Sequence, residues 1–174
     1  MEALKIIGFA IFAAIAYGVL HDQVTAHLCV EYFTIGHPPI FPTSSPFLLA
    51  LGWGVVATWW VGLPLGVGLA VAARAGRAPR LSLAQLRRPI LLLMLGCGAL
   101  ALLAGIAGAV GAALGWIRLV GWLVEVVPSE KHVAFLADLW AHSTSYAGGV
   151  LGGLGLMVWT WRRRHAVRSN HPSP

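Results

Sequence analysis

Two pairs of side chains in this chain have the types and the spacing to bind a metal ion. His27 and Glu31 are four residues apart, and so are Asp138 and His142. Side chains at that spacing share one face of a helix. Neutral imidazole plus carboxylate is the ligand set of Zn, Fe and Mn sites. Facing helices that each supply such a pair can hold one or two of these ions inside a bundle. The familiar Glu-x-x-His spacing is absent, so the match is one of chemistry. In a Zn site the ion would activate water and a spare carboxylate would act as base. In a di-iron site the carboxylates would bridge the ions. His27, Glu31, Asp138 and His142 are therefore the expected ligands.

Other ionisable groups crowd the same two stretches, "HDQVTAHLCVEYFTIGHP" and "SEKHVAFLADLWAHSTSY". His21 and Asp22 fit as further ligands, as groups that orient the ligands, or as partners of the helix backbone. His37 precedes a proline and is placed to cap the loop or close over the site. His132 is less well aligned, and Tyr146 extends the Asp138–His142 row. Cys29 and Cys97 are too few for a disulfide framework or a thiolate cluster and read as packing. His165 and His171 belong to a basic tail and read as solvated.

The elements that carry these groups are hydrophobic runs. The chain has 174 residues, of which 58% are hydrophobic and 10% charged. Soluble domains carry about 25% charged residues. This deficit, together with runs long enough to cross about 30 Å of hydrocarbon, predicts an integral membrane protein. The expected fold is all-α, a four-helix transmembrane bundle in one domain over residues 1–165. Its helices are placed at about 4–33, 46–73, 83–126 and 130–164, followed by a disordered basic tail over 166–174. Ser45 with Pro46 marks one helix start, Ser82 with Gln85 a capping box, and Ser129 an N-cap.

Charge sets the expected orientation. Of the twelve Lys and Arg residues, all but Arg118 and Lys131 flank the inner ends of these runs. Cytoplasmic ends collect Lys and Arg. Both termini are thus expected in the cytoplasm, and both polar stretches at the outer, periplasmic face of a bacterial inner membrane. The same distribution accounts for the sequence pI of about 10.2 without nucleic acid as a partner. Ionisable groups at the centre of a membrane cost about 2.5–3.5 kcal/mol each, and are retained when paired or used.

The block "YGVLHDQVTAHLCVEYFTIGHPP", Tyr17 to Pro39, resembles one found in small multi-pass membrane proteins of bacteria. The resemblance implies that the block acts as a unit. It implies no reaction and assigns no site residue.

Three function classes follow from these features. The first is a metal-dependent hydrolase or oxidoreductase acting on a lipid-soluble or periplasmic substrate. The second is a non-enzymatic accessory subunit, because glycine-rich faces and abundant tryptophan suit lateral packing against other subunits or a second copy. The third is a b-type haem protein with His27 and His142 as axial ligands, which the neighbouring carboxylates disfavour.

Overall fold

The computed structural model describes residues 1–169, with side chains through Ala166, and residues 170–174 with His171 lie outside it. Among the described residues the chain is helical, with no strand. In chain order the helices are α1 (Glu2–Leu28), α2 (Val30–Thr34), α3 (Pro46–Val56), α4 (Trp59–Arg74), α5 (Leu83–Ala113), α6 (Leu123–Val126) and α7 (His132–Ser169). Three stretches are long and apolar enough to cross a membrane: Glu2–Leu28, Pro46–Arg74 and Leu83–Ala113. The 38-residue α7 is longer still, but polar groups from Asp138 to Ser145 interrupt its apolar run.

Three of the expected helices break or end early, each for a local reason. The first run divides at Cys29, whose backbone (φ −146°, ψ 89°) is not helical. No glycine or proline dictates this break. Instead Cys29 packs into a core of Leu119, Val127, Phe135 and Leu136. The second run divides at Ala57 and Thr58, where the Thr58 hydroxyl bonds back to the Gly54 carbonyl. Such back-bonding bends helices. The third run ends at Ala113, well short of 126. Gly115 takes φ +72°, and the amides of Gly115 and Trp116 donate to the carbonyls of Ala112 and Gly111 at 3.0 and 2.8 Å. This is a Schellman stop, which needs glycine at that position.

The expected helix starts are partly as read. Ser45 accepts from the Leu48 amide at 3.5 Å, and the Ser82 amide donates to Gln85 Oε1 at 3.0 Å. Ser129 opens a turn of 3-10 helix, Ser129–Lys131, ahead of α7. At the far end, α7 continues to Ser169.

Helix α1 packs along α3 and α4, α5 packs along α7, and α4 meets α7 to join the two pairs. Glycines set the spacing. A Cβ at Gly54 would stand 2.5 Å from the Val19 Cα, and one at Gly62 2.9 Å from the Ile11 Cα. On the other pair, a Cβ at Gly108 would stand 2.9 Å from the Leu136 carbonyl. Small residues of this kind let helix backbones approach closely. Arg164 fastens the opposite end of the bundle. Its buried guanidinium donates to the carbonyls of Pro79, Ala72, Ala75 and Ala78 at 2.7–2.9 Å. Outward, Leu20, Leu95, Leu102 and Leu151 are each more than 60% exposed, so the polar groups lie inside an apolar exterior.

Gly54→Ala should lower the thermal midpoint in detergent, because overpacking against rigid backbone costs about 1–3 kcal/mol. Gly96→Ala, where a Cβ meets nothing within 4 Å, should leave it unchanged or raise it. Circular dichroism melts check the pair, and equal behaviour of the two variants would contradict the close-packed crossing.

Candidate metal centre

The tight crossing at Gly18 and Gly54 places the next turn of α1 against the bundle interior. A Cβ at Gly18 would stand 2.7 Å from the Gly54 carbonyl. One turn on, His21 and Asp22 face His142 of α7. One ligand atom from each of His21, Asp22 and His142 lies within 4.8 Å of the others. The His142 Nε2 is 4.0 Å from Asp22 Oδ1, and the imidazoles of His21 and His142 meet edge to face at 4.5 Å. Asp22 is 5% exposed and His142 6%.

Neighbouring side chains orient these three. The Thr25 hydroxyl donates to the His21 carbonyl at 3.3 Å and lies 3.1 Å from His142 Nε2, within hydrogen-bond reach. The Tyr32 ring stacks on His142 at 4.6 Å, and Phe33 approaches it edge-on at 5.7 Å. Both aromatics come from α2, so the break at Cys29 is what swings them over the site. Tyr17 stacks on His21 at 5.7 Å and hydrogen-bonds Ser145 at 2.7 Å. Asp138 lies one turn before His142 on α7 and is fully buried, yet neither of its carboxylate oxygens has a hydrogen-bond partner among the described residues. The His21 Nε2 is likewise buried without a partner. Buried polar atoms are almost always paired, and exceptions mark strain, chemistry, or a water or ion held there.

A cavity of about 60 Å³ adjoins the three, lined among others by Tyr17, His37, Trp53, Ser145 and Tyr146. It has room for an ion with a water or two. His37 reaches it from the Thr34–Ser45 connection. Its Nδ1–H donates to the Tyr32 carbonyl at 2.9 Å, and its ring stacks on Phe33 at 5.5 Å. Tyr146 donates to the Ala57 carbonyl at 3.4 Å, capping the gap between α3 and α4.

The structure joins His142 to His21 and Asp22 and leaves His27 and Glu31 apart from them. His27 is exposed, and its Nδ1–H donates to the Gln23 carbonyl at 2.7 Å. Glu31 pairs with Lys131 at 3.2 Å. His132 donates from Nε2 to the Val127 carbonyl at 3.0 Å, and Arg118 is exposed. Cys29 is buried, and that burial pushes its thiol up to about 11. A thiol of that kind is not ionised at neutral pH, in keeping with a packing role. Sequence reasoning passed over Thr25, four residues from His21 on the inward face, and the two α2 aromatics Tyr32 and Phe33.

Burial works against ionisation of Glu31, but its own backbone amide, Lys131 and Cys29 outweigh it and hold the carboxyl below the usual range. A depressed carboxylate stabilises the fold above its ordinary pKa, and that contribution is lost as pH falls through the lowered value. Glu31→Gln should therefore be less stable than the wild type at pH 7, by no more than about 1 kcal/mol for a pair so near the surface. The difference should shrink as pH falls below the ordinary carboxyl value and vanish once pH is below the lowered one. A gap that widens in acid would contradict this pairing.

Comparison with protein-family models, with curated proteins and with solved structures returns no match.

Proposed function

We propose that this chain is a four-span protein of the bacterial inner membrane that binds a divalent transition metal through His21, Asp22 and His142. In this reading α7 is the fourth span, both termini are cytoplasmic, and the metal centre lies toward the periplasmic side. The positive-inside distribution of Lys and Arg supports that orientation. The observation that carries the metal reading is the convergence of the three ligand atoms within 4.8 Å. Two imidazoles and a carboxylate suit Zn, Fe or Mn, and three protein ligands leave a position open for water or substrate, as catalytic sites do.

The chemistry this supports is hydrolysis or oxidation at a buried, largely dry site. An ion held by His21, Asp22 and His142 would supply Lewis acidity there. Asp138, on the same helix face as His142, is the candidate base. Tyr17, held by Ser145, and Tyr32, stacked on His142, fix the two imidazoles. A cavity of about 60 Å³ does not admit a porphyrin, and His27 lies outside it, so the volume argues against a haem held by His27 and His142.

Elemental analysis of protein purified in detergent tests this reading. Wild type should carry about one metal equivalent per chain. His21→Ala, Asp22→Ala and His142→Ala should each lose most of it, since even indirect perturbation of a metal site costs about 10–100-fold in affinity. His27→Ala and Glu31→Gln should retain it. Metal-free wild type, or loss in the second set and not the first, would overturn the proposal.

A further inference from the structure

The Arg164 end of the bundle carries more positive charge than the chain can pair. The α4–α5 connection and the end of α7 both bring arginines to it. Of the six acidic residues, only Glu2 stands there, and it is already engaged. Its carboxylate accepts from Lys5 Nζ at 2.8 Å and from the Leu83 amide at 3.2 Å. Within the run Arg162, Arg163, Arg164 the three side chains part company. Arg164 turns inward and uses its donors on backbone carbonyls. Arg162 and Arg163 are exposed, and neither makes an ion pair among the described residues.

These two arginines flank an open hollow of about 410 Å³ on the outer face of α7, shared with Gly155, Val158, Trp159 and Ala166. At 3.6 residues per turn, Gly155, Trp159 and Ala166 form a row, with one arginine on either side of it. The Arg163 guanidinium lies 5.1 Å over the Trp159 ring, a cation–π contact that holds it at the rim. Below the arginines the lining is apolar. Val158 and Trp159 are 52% and 43% exposed. A Cβ at Gly155 would meet nothing within 4 Å, so this glycine leaves the lower end open. From Arg162 down to Gly155 is about 10 Å at the helical rise.

We propose that this hollow binds an anionic phospholipid of the cytoplasmic leaflet, its phosphate between Arg162 and Arg163 and one acyl chain along Val158 and Gly155. Charge is the first support. No carboxylate of the chain neutralises the pair, so the counter-ion comes from outside. The planar guanidinium matches phosphate in a two-point contact. Shape is the second. The hollow runs from charge to hydrocarbon along one helix face, as a phospholipid does, whereas a free anion has no use for the apolar half. Position is the third. Tryptophan favours the membrane interface, and acidic lipids draw basic segments to the cytoplasmic surface. The site uses no residue of the metal centre and takes from the reading above only α7 as a span.

Native mass spectrometry of the full chain in detergent micelles tests this, with phosphatidylglycerol and phosphatidylcholine as the probes. The first phosphatidylglycerol should bind about tenfold more tightly than phosphatidylcholine. The double variant Arg162→Gln, Arg163→Gln should lose that preference. The double variant Arg77→Gln, Arg80→Gln removes two exposed charges of the same end outside the hollow and should keep it. All four arginines are exposed, so both double variants should melt with the wild type. Gly155→Leu should weaken phosphatidylglycerol binding several-fold by filling the lower end. Inorganic phosphate in tenfold excess should not displace the lipid. Equal affinity for the two lipids, or equal losses in the two double variants, would overturn the proposal. So would full binding by Gly155→Leu, displacement by phosphate, or a dimer that excludes the lipid.

Discussion

The exterior of this bundle is largely leucine, valine and tryptophan, and its interior holds two imidazoles and two carboxylates within a few turns of helix. Polar groups inside an apolar bundle are cut off from bulk water, so they must satisfy one another or hold something that satisfies them. Here they do so incompletely. His142 has Thr25 and, at longer range, Asp22. The Asp138 oxygens and the His21 Nε2 have no hydrogen-bond partner among the described residues. That imbalance is the constraint from which the rest of the structure can be understood.

Holding four such groups together requires rigid, close helices. The Gly18–Gly54 crossing brings the backbone of α1 against α3, so the residues one turn on, His21 and Asp22, face the cavity. The Gly108 contact does the same for α5 and α7. The two helix breaks then place the remaining parts. The break at Cys29 folds Tyr32 and Phe33 onto His142. The break at Ala57 frees a carbonyl that Tyr146 takes up. At the other end, Arg164 ties the α4–α5 connection to α7 with hydrogen bonds to four carbonyls. An arginine that reads from sequence only as a marker of the inner face is thus also a structural clamp.

Much of this was legible in the residues. Helical class, the long apolar runs, the start of α3 at Ser45 and the shared face of Asp138 and His142 all follow from periodicity and caps. The register of α1 was the weak point. A seven-residue stripe through Tyr17, His21, Val24, Leu28 and Glu31 places His27 beside it, and periodicity cannot say which face of an almost wholly apolar helix is inward. The answer lay in the small and polar residues. Ala14, Gly18, Asp22 and Thr25 lie along the packed side of α1, while Leu20, Val24 and Leu28 form the exposed one. His27 follows Val24 by three residues and goes outward with it. The break at Cys29 was not legible at all, because burial against α7 and the α5–α7 connection decides it, not local propensity.

The proposal above has His21, Asp22 and His142 share one ion. An anomalous difference map from crystals of the purified protein, collected at the absorption edge of the metal found in it, tests this most directly. One strong peak is expected about 2.0–2.2 Å from nitrogen and oxygen atoms of these three side chains, the range for such ligands. A peak beside His27 and Glu31 instead, or a map with no peak in the bundle, would contradict it.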